Sequence, residues 1–295
     1  MDTDMHTQMA TGRGFLAALD QSGGSTPKAL AQYGIDPDSY EGDEEMFDLV
    51  HQMRSRILTD PAFTGDRILG AILFEGTMDR EVEGQPTPHY LWQGKGIVPF
   101  VKVDKGLEDP EDGVRMMRPM PELDALLERA RGLEVFGTKM RSVIQLADRA
   151  GVERNVAQQF EIGRRILDAG LVPILEPEVD ITSPQKAEAE ELLHAAIVEH
   201  LEEIPQGQRI MLKLSIPTID GFYTDLLGHP KVLRIVALSG GYSRDEANER
   251  LARNPGLIAS FSRALLEDLR AGQDEETFTA TLDAAIESIY EASIT

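Results

Sequence analysis

There is no cysteine anywhere in the 295 residues. That removes disulfide frameworks, thiolate nucleophiles and cysteine-based metal sites from consideration. Histidine is sparse: the six residues (His6, His51, His89, His194, His200 and His229) show neither HxH nor HExxH spacing, which disfavours a histidine-built metal centre. No stretch approaches eighteen apolar residues, and the opening MDTDMHTQMATG has neither the basic nor the apolar region of a secretory signal. A soluble, cytoplasmic protein is the expectation. Positive charge is scarce as well. Against 51 Asp and Glu stand only 29 Lys and Arg, a formal net charge of −22, so neither nucleic acid nor an anionic membrane is an expected partner. No linker or low-complexity tract divides the chain, so residues 1–295 read as one domain. Nothing in the sequence sets an oligomeric state.

What is present is an alternation. Eight short apolar runs recur: Gly14–Asp20, Ile68–Glu75, Ile97–Asp104, Val135–Arg141, Leu171–Glu176, Arg209–Pro217, Val232–Ser239 and Leu257–Arg263. Between them lie helical patterns such as those starting at Glu44, Glu153 and Ala187, and a last one from Glu275 closes the chain. Parallel strands covered by helices give this pattern. Eight repeats in this length predict a single-domain (β/α)8 barrel with a short helix before it and a closing helix after it. An open doubly wound sheet fits the alternation too, but no G-x-G-x-x-G turn follows the first run.

The runs finish on polar residues: Asp20, Glu75, Lys102 with Asp104, Lys139 with Arg141, Glu176 with Glu178, Lys213, Ser239 and Arg263. Barrel enzymes build their sites at the carboxyl ends of the strands, where such residues converge. Helix capping accounts for an isolated Asp or Ser there, but it does not call for Lys, Arg or Glu inside a strand. Of only eight lysines, Lys102, Lys105, Lys139 and Lys213 fall in or just beyond runs. Lys213 lies in IMLKLSIP with apolar neighbours on both sides. Burial should disfavour its ammonium form, as should a second cation such as Lys139, and this is how an amine becomes a nucleophile for ketones. The competing reading is a lysine reaching out of the barrel mouth or paired with a carboxylate.

Glu176 and Glu178 flank a proline and share one face of an extended segment. Such a pair suits proton transfer, with one group ionised and the other tuned upward; alternatively it orders Lys139 or Arg141. SGGYS from Ser239 and SGGS from Ser22 each follow a run and precede a helix, where glycines expose N–H groups to an anion. Two such loops, expected opposite one another on the barrel, suggest a substrate with phosphate at both ends.

The ordered motifs LDQSGGS, KVDKG, FGTKMRS, VPILEPE, MLKLSIP, LSGGYS and FSRAL resemble those of class I fructose-bisphosphate aldolases, in particular the shorter bacterial branch, from about Gly12 to Arg270. The resemblance implies a carbon–carbon lyase that works without metal or other cofactor, through a Schiff base on Lys213, on a sugar bisphosphate in glycolysis or gluconeogenesis. It implies Glu176 as principal acid and base, Asp20 at the substrate C4 hydroxyl and the carbinolamine, and Lys139 and Glu178 as supporting charges. Ser239, Gly240, Gly241 and Arg263 would hold the C1 phosphate, and Ser22, Ser25, Lys28 and Lys102 the C6 phosphate, with Arg141 as a further substrate-site arginine. Two departures stand out. The sequence ends in YEASIT, without the longer tail whose terminal tyrosine aids proton transfer in animal enzymes, and Tyr290 is not assigned that role. Ser262 stands where those enzymes have glycine before the phosphate-binding arginine. A tagatose or sedoheptulose bisphosphate, or a single-phosphate sugar, remains an alternative substrate for such a Schiff-base barrel. A non-catalytic scaffold has no use for Lys213, Glu176 and Asp20 together.

Overall fold

The computed structural model describes residues 3–21 and 26–295. All eight apolar runs form strands: β1 (Phe15–Leu19), β2 (Ile68–Leu73), β3 (Val98–Lys102), β4 (Gly137–Ile144), β5 (Val172–Val179), β6 (Ile210–Ser215), β7 (Val232–Leu238) and β8 (Ile258–Phe261). Each pairs in parallel with its neighbours in chain order. The β3–β4 and β1–β8 pairings complete the ring, making a closed (β/α)8 barrel. The strands are continuous apolar runs because parallel strands are covered on both faces, by the barrel interior on one side and by helices on the other.

Helix α1 (Thr3–Thr11) precedes the barrel, and its Met5 and Met9 join the interior apolar cluster. Arg234 of β7 donates to the carbonyls of Met9 and Gly12, 2.9 Å each, tying this helix across the barrel end opposite the strand tips. Helices α2 (Thr26–Tyr33) and α3 (Gly42–Thr59) lead to β2, and the short α4 (Glu75–Met78) follows it. Then come α5 (Leu123–Gly132), α6 (Arg149–Asp168), α7 (Lys186–Leu201), the short α8 (Thr224–Leu227) and α9 (Arg244–Ala252). After β8 the chain forms α10 (Arg263–Leu266) and α11 (Glu275–Ser293). Asp148 and Asp274 cap α6 and α11, accepting from the Gly151 and Thr277 N–H groups at 2.8 Å. Among the described residues no helix is long and apolar enough to cross a membrane.

Period-two alternation orders the interior into rows. Leu16 and Ala18 are apolar and interior, and Asp20 comes next on the same side; Val98 and Phe100 lead likewise to Lys102. Val172 and Ile174 lead to Glu176 and Glu178, Met211 leads to Lys213, and Ile258 leads to Ser260 and Ser262. The lower rows are thus a packed apolar plug, and the charged rows begin one pleat above it. Gly137 shows how tightly the plug fits. A Cβ there would stand 2.2 Å from the Val172 carbonyl and 2.8 Å from the Phe100 ring, so β4 admits only glycine beside that aromatic.

Candidate active site

At the carboxyl ends of the strands lies a cavity of about 480 Å³, with Lys213, Glu176, Asp20 and Lys139 among its lining residues. The register brings them together. Ile174 pairs with Met211, so the next inward residues of β5 and β6 are Glu176 and Lys213. Lys102 of β3 pairs with Lys139 of β4, and Arg141 with Glu176. Lys213 is only 4% exposed, and its Nζ lies 3.1 Å from Glu176 Oε1. Lys139 Nζ sits 2.8 Å from Glu176 Oε2 and 2.7 Å from Asp20 Oδ2. The four groups form one buried chain of alternating charge, Lys213–Glu176–Lys139–Asp20.

This chain sets the ionisation. Burial works against the charged form of Asp20, but Lys139, Lys213 and Lys102 outweigh it and hold the carboxyl well below the usual aspartate range. Glu176 follows the same balance: burial opposes its charge, and the cations of Lys139 and Lys213 prevail, lowering it. Burial likewise disfavours the Lys139 ammonium, yet Asp20, Glu176 and Asp104 raise it above the ordinary lysine range. Glu176 is therefore not the upward-tuned member of a carboxylate pair. Glu178 turns away to Arg141, whose Nε donates to its Oε2 at 2.6 Å, so this pair serves to order Arg141.

The remaining expected residues divide by what they touch. Ser239, Gly240, Gly241 and Arg263 line the cavity together, where β7 and β8 end. Gly240 has φ of +61°, and a Cβ on it would meet Ile181 Cγ2 at 2.5 Å, so glycine is required for the turn. Helix α9 begins beyond this turn, capped by Ser243 rather than Ser239. Arg263 and Lys28 are exposed at the cavity and have no protein partner among the described residues. Lys102 is committed instead: its Nζ donates to both Asp104 O and Asp104 Oδ1 at 2.7 Å. Ser22 and Ser25 lie outside the described residues.

Of the two loops expected opposite one another, SGGS from Ser22 lies outside the described residues. The strands that lead into the two, β1 and β7, are separated by β8 alone. Glu75 departs from the site. β2 stops at Leu73, and Glu75 opens α4, where it pairs with Lys105 and Arg129. Conversely, Ser260 lines the cavity, 2% exposed and with no hydrogen-bond partner for its Oγ among the described residues. Its place two residues before Ser262, on the inward row of β8, is the pattern that could have revealed it. Asp104 matters too, since it anchors Lys102 and accepts from the Arg141 N–H at 3.1 Å.

Among the described residues the charged lining comprises six cations (Lys28, Lys102, Lys139, Arg141, Lys213 and Arg263) against four carboxylates (Asp20, Glu176, Glu178 and Glu267), the reverse of the whole chain. The acidic surface thus encloses a locally positive mouth suited to an anionic ligand.

Comparison with known proteins agrees with this geometry. The family described as fructose-bisphosphate aldolase class-I matches residues 3–212. A relative from Synechocystis named fructose-bisphosphate aldolase class 1 is 60% identical over 288 residues, covering 98% of this chain and 96% of that protein. Proteins of the same name from Porphyromonas gingivalis and Clostridium acetobutylicum are each 56% identical over the full length of both chains. These relatives extend past the end of the family match and across Lys213. Among solved structures, the fructose-bisphosphate aldolase from Plasmodium falciparum, in a ternary complex with TRAP and a small-molecule inhibitor, superposes with a TM-score of 0.75 at 21% identity. That alignment covers 99% of this chain and 95% of the other, a likeness of fold. The chain belongs to the class I fructose-bisphosphate aldolase family.

Proposed function

We propose that this chain is a soluble, cytoplasmic aldolase that reversibly cleaves fructose 1,6-bisphosphate into dihydroxyacetone phosphate and glyceraldehyde 3-phosphate through an iminium on Lys213, without metal or other cofactor. The observation that carries the reading is the buried contact of Lys213 Nζ with Glu176 Oε1, at 3.1 Å inside a locally cationic cavity. Glu176, held ionised by its two lysines, is placed to take a proton from Lys213 and free the amine for attack on the C2 ketone. The same carboxyl then returns that proton to the carbinolamine hydroxyl, which leaves as water. The resulting iminium draws the electrons of the C3–C4 bond as the Asp20 carboxylate takes the C4 hydroxyl proton and the aldehyde departs. Protonation of the enamine at C3, then addition of water to the iminium, releases the ketone and restores the amine.

Lys139 touches both carboxylates and steadies their charge as protons pass. Arg263 with the Ser239–Gly241 turn would hold the C1 phosphate, and Lys28 and Lys102, with Ser22 and Ser25, the C6 phosphate. Part of the rate enhancement comes from holding these groups on rigid strands, part from fixed cations around the substrate's charge. Borohydride reduction of the protein with dihydroxyacetone phosphate, followed by peptide mapping, should place the adduct on Lys213. An adduct on Lys139 or Lys102 would assign the nucleophile elsewhere, and no adduct at all would overturn the Schiff-base reading.

A further inference from the structure

Arg54 heads the fully buried side chains, at 1% exposure. It belongs to the inner stripe of α3, with Met46, Val50, Met53, Ile57 and Leu58, where an apolar residue is expected. Its Nη1 donates to Thr77 Oγ1 at 2.6 Å and its Nη2 to the main-chain oxygen of Gln21 at 2.5 Å. Its Nε has no hydrogen-bond partner, and no carboxylate forms an ion pair with it among the described residues. Burial pushes it down to about 10 against the pull of the Asp20 carboxylate, so it still carries a positive charge at neutral pH. Burying an unpaired guanidinium is costly, and packing alone would be served by methionine or leucine.

What the guanidinium holds is the joint beside the site. Gln21 directly follows Asp20, and its side-chain amide donates to Ser262 Oγ, one residue before Arg263. Thr77 lies on α4, just beyond β2. A single side chain reaching in from α3 therefore fixes the exit of β1 to the elements beside it, and places a positive charge behind Asp20.

We propose that Arg54 is a positioning residue for Asp20: it clamps the Gln21 carbonyl so that the Asp20 carboxylate stays on Lys139 and faces the substrate. This rests on the aldolase reading above and extends it to a residue that need touch neither substrate nor Lys213. The test is cleavage of fructose 1,6-bisphosphate by Arg54→Met and Arg54→Lys, each alone and combined with Asp20→Asn. Single-turnover conditions keep the slow variants measurable, and thermal unfolding is recorded for all. Arg54→Met should lower kcat by about tenfold to a hundredfold, the range expected when a reacting group is displaced by about 1 Å, with a much smaller change in KM. Arg54→Lys, which keeps the charge but reaches only one acceptor, should recover part of the loss. In the Asp20→Asn background the effect of Arg54→Met should shrink to within about twofold, because the residue it positions is already disabled. An unchanged kcat, or losses that multiply through the Asp20→Asn background, would overturn the proposal. If Arg54→Met does not fold, the same cycle with Arg54→Lys decides the matter. Failure of the unsubstituted protein to cleave the bisphosphate would instead strike the aldolase reading.

Discussion

Glu176 meets Lys213 across two neighbouring parallel strands, its Oε1 3.1 Å from the amine, because the β5–β6 register sets Ile174 beside Met211 one pleat below. A slip of one residue in either strand would turn its charged group out of the barrel into the helix layer. The contact is therefore as firmly fixed as the apolar plug beneath it.

Lys139→Met should be costly to the fold. It leaves Asp20 and Glu176 buried without their shared cation, and breaking a buried pair on one side typically costs about 3–5 kcal/mol. Because the folded-state pKa of Asp20 is depressed, its contribution to stability is present above the unfolded value of about 4 and lost as pH falls through the depressed one. Removing Lys139 raises both carboxylates towards their unfolded values, so the acid decline in stability should shrink, and the variant's deficit should be largest near neutral pH and narrow as pH falls. Denaturant unfolding across pH 3–8 measures both effects; equal stability curves would show that Lys139 is not the keystone of the cluster.

Arg263→Ala and Lys102→Ala should separate the two ends of the substrate. Arg263 has no protein partner among the described residues to compensate its charge, so its loss should raise KM for fructose 1,6-bisphosphate and fructose 1-phosphate alike, by about tenfold or more for a charge-assisted contact. Some loss of kcat should follow, since remote contacts also orient the reacting carbons. Lys102→Ala should penalise the bisphosphate far more than the monophosphate. Equal penalties on both from Lys102→Ala would mean that this lysine, tied to Asp104 at 2.7 Å, serves the scaffold and not the C6 phosphate.

Gly240→Ala should weaken phosphate binding through the backbone. The residue adopts φ of +61°, which costs an L-residue about 1–2 kcal/mol, and its new Cβ would press on Ile181. The expected result is a modest fall in thermal stability with a larger rise in KM. Unchanged KM values would place the phosphate away from the Ser239–Gly241 turn.

Prolonged chelation should leave the activity intact. In the proposed mechanism the iminium supplies the polarisation that a Lewis acid otherwise would. Assays before and after EDTA dialysis check this; loss of activity that zinc restores would contradict the cofactor-free reaction.

The eight strands could be read from the sequence because burial on both faces leaves them mostly apolar below the barrel mouth, with exceptions such as Arg234 of β7. The same reasoning located Lys213, Glu176, Lys139 and Asp20, since a charge embedded in such a run has only the mouth to open into. Glu75 misled the reading: it follows an apolar run like the others, but β2 ends two residues earlier and the chain turns into α4. Arg54 was hidden because its carbonyl partner is no residue type at all, and main-chain acceptors leave no trace in a sequence.

Local order along the chain, then, determined the barrel and the identity of its charged rows. Pleat and helix periods act between near neighbours and write themselves directly into residue spacing. Which carboxylate meets which cation was decided only in three dimensions. Glu178 went to Arg141, and Glu176 to two lysines. Those choices depend on strand register and on distances of a few ångströms between segments far apart in the chain, where Coulomb energy in a buried site is steep and spacing in the sequence carries no measure of it.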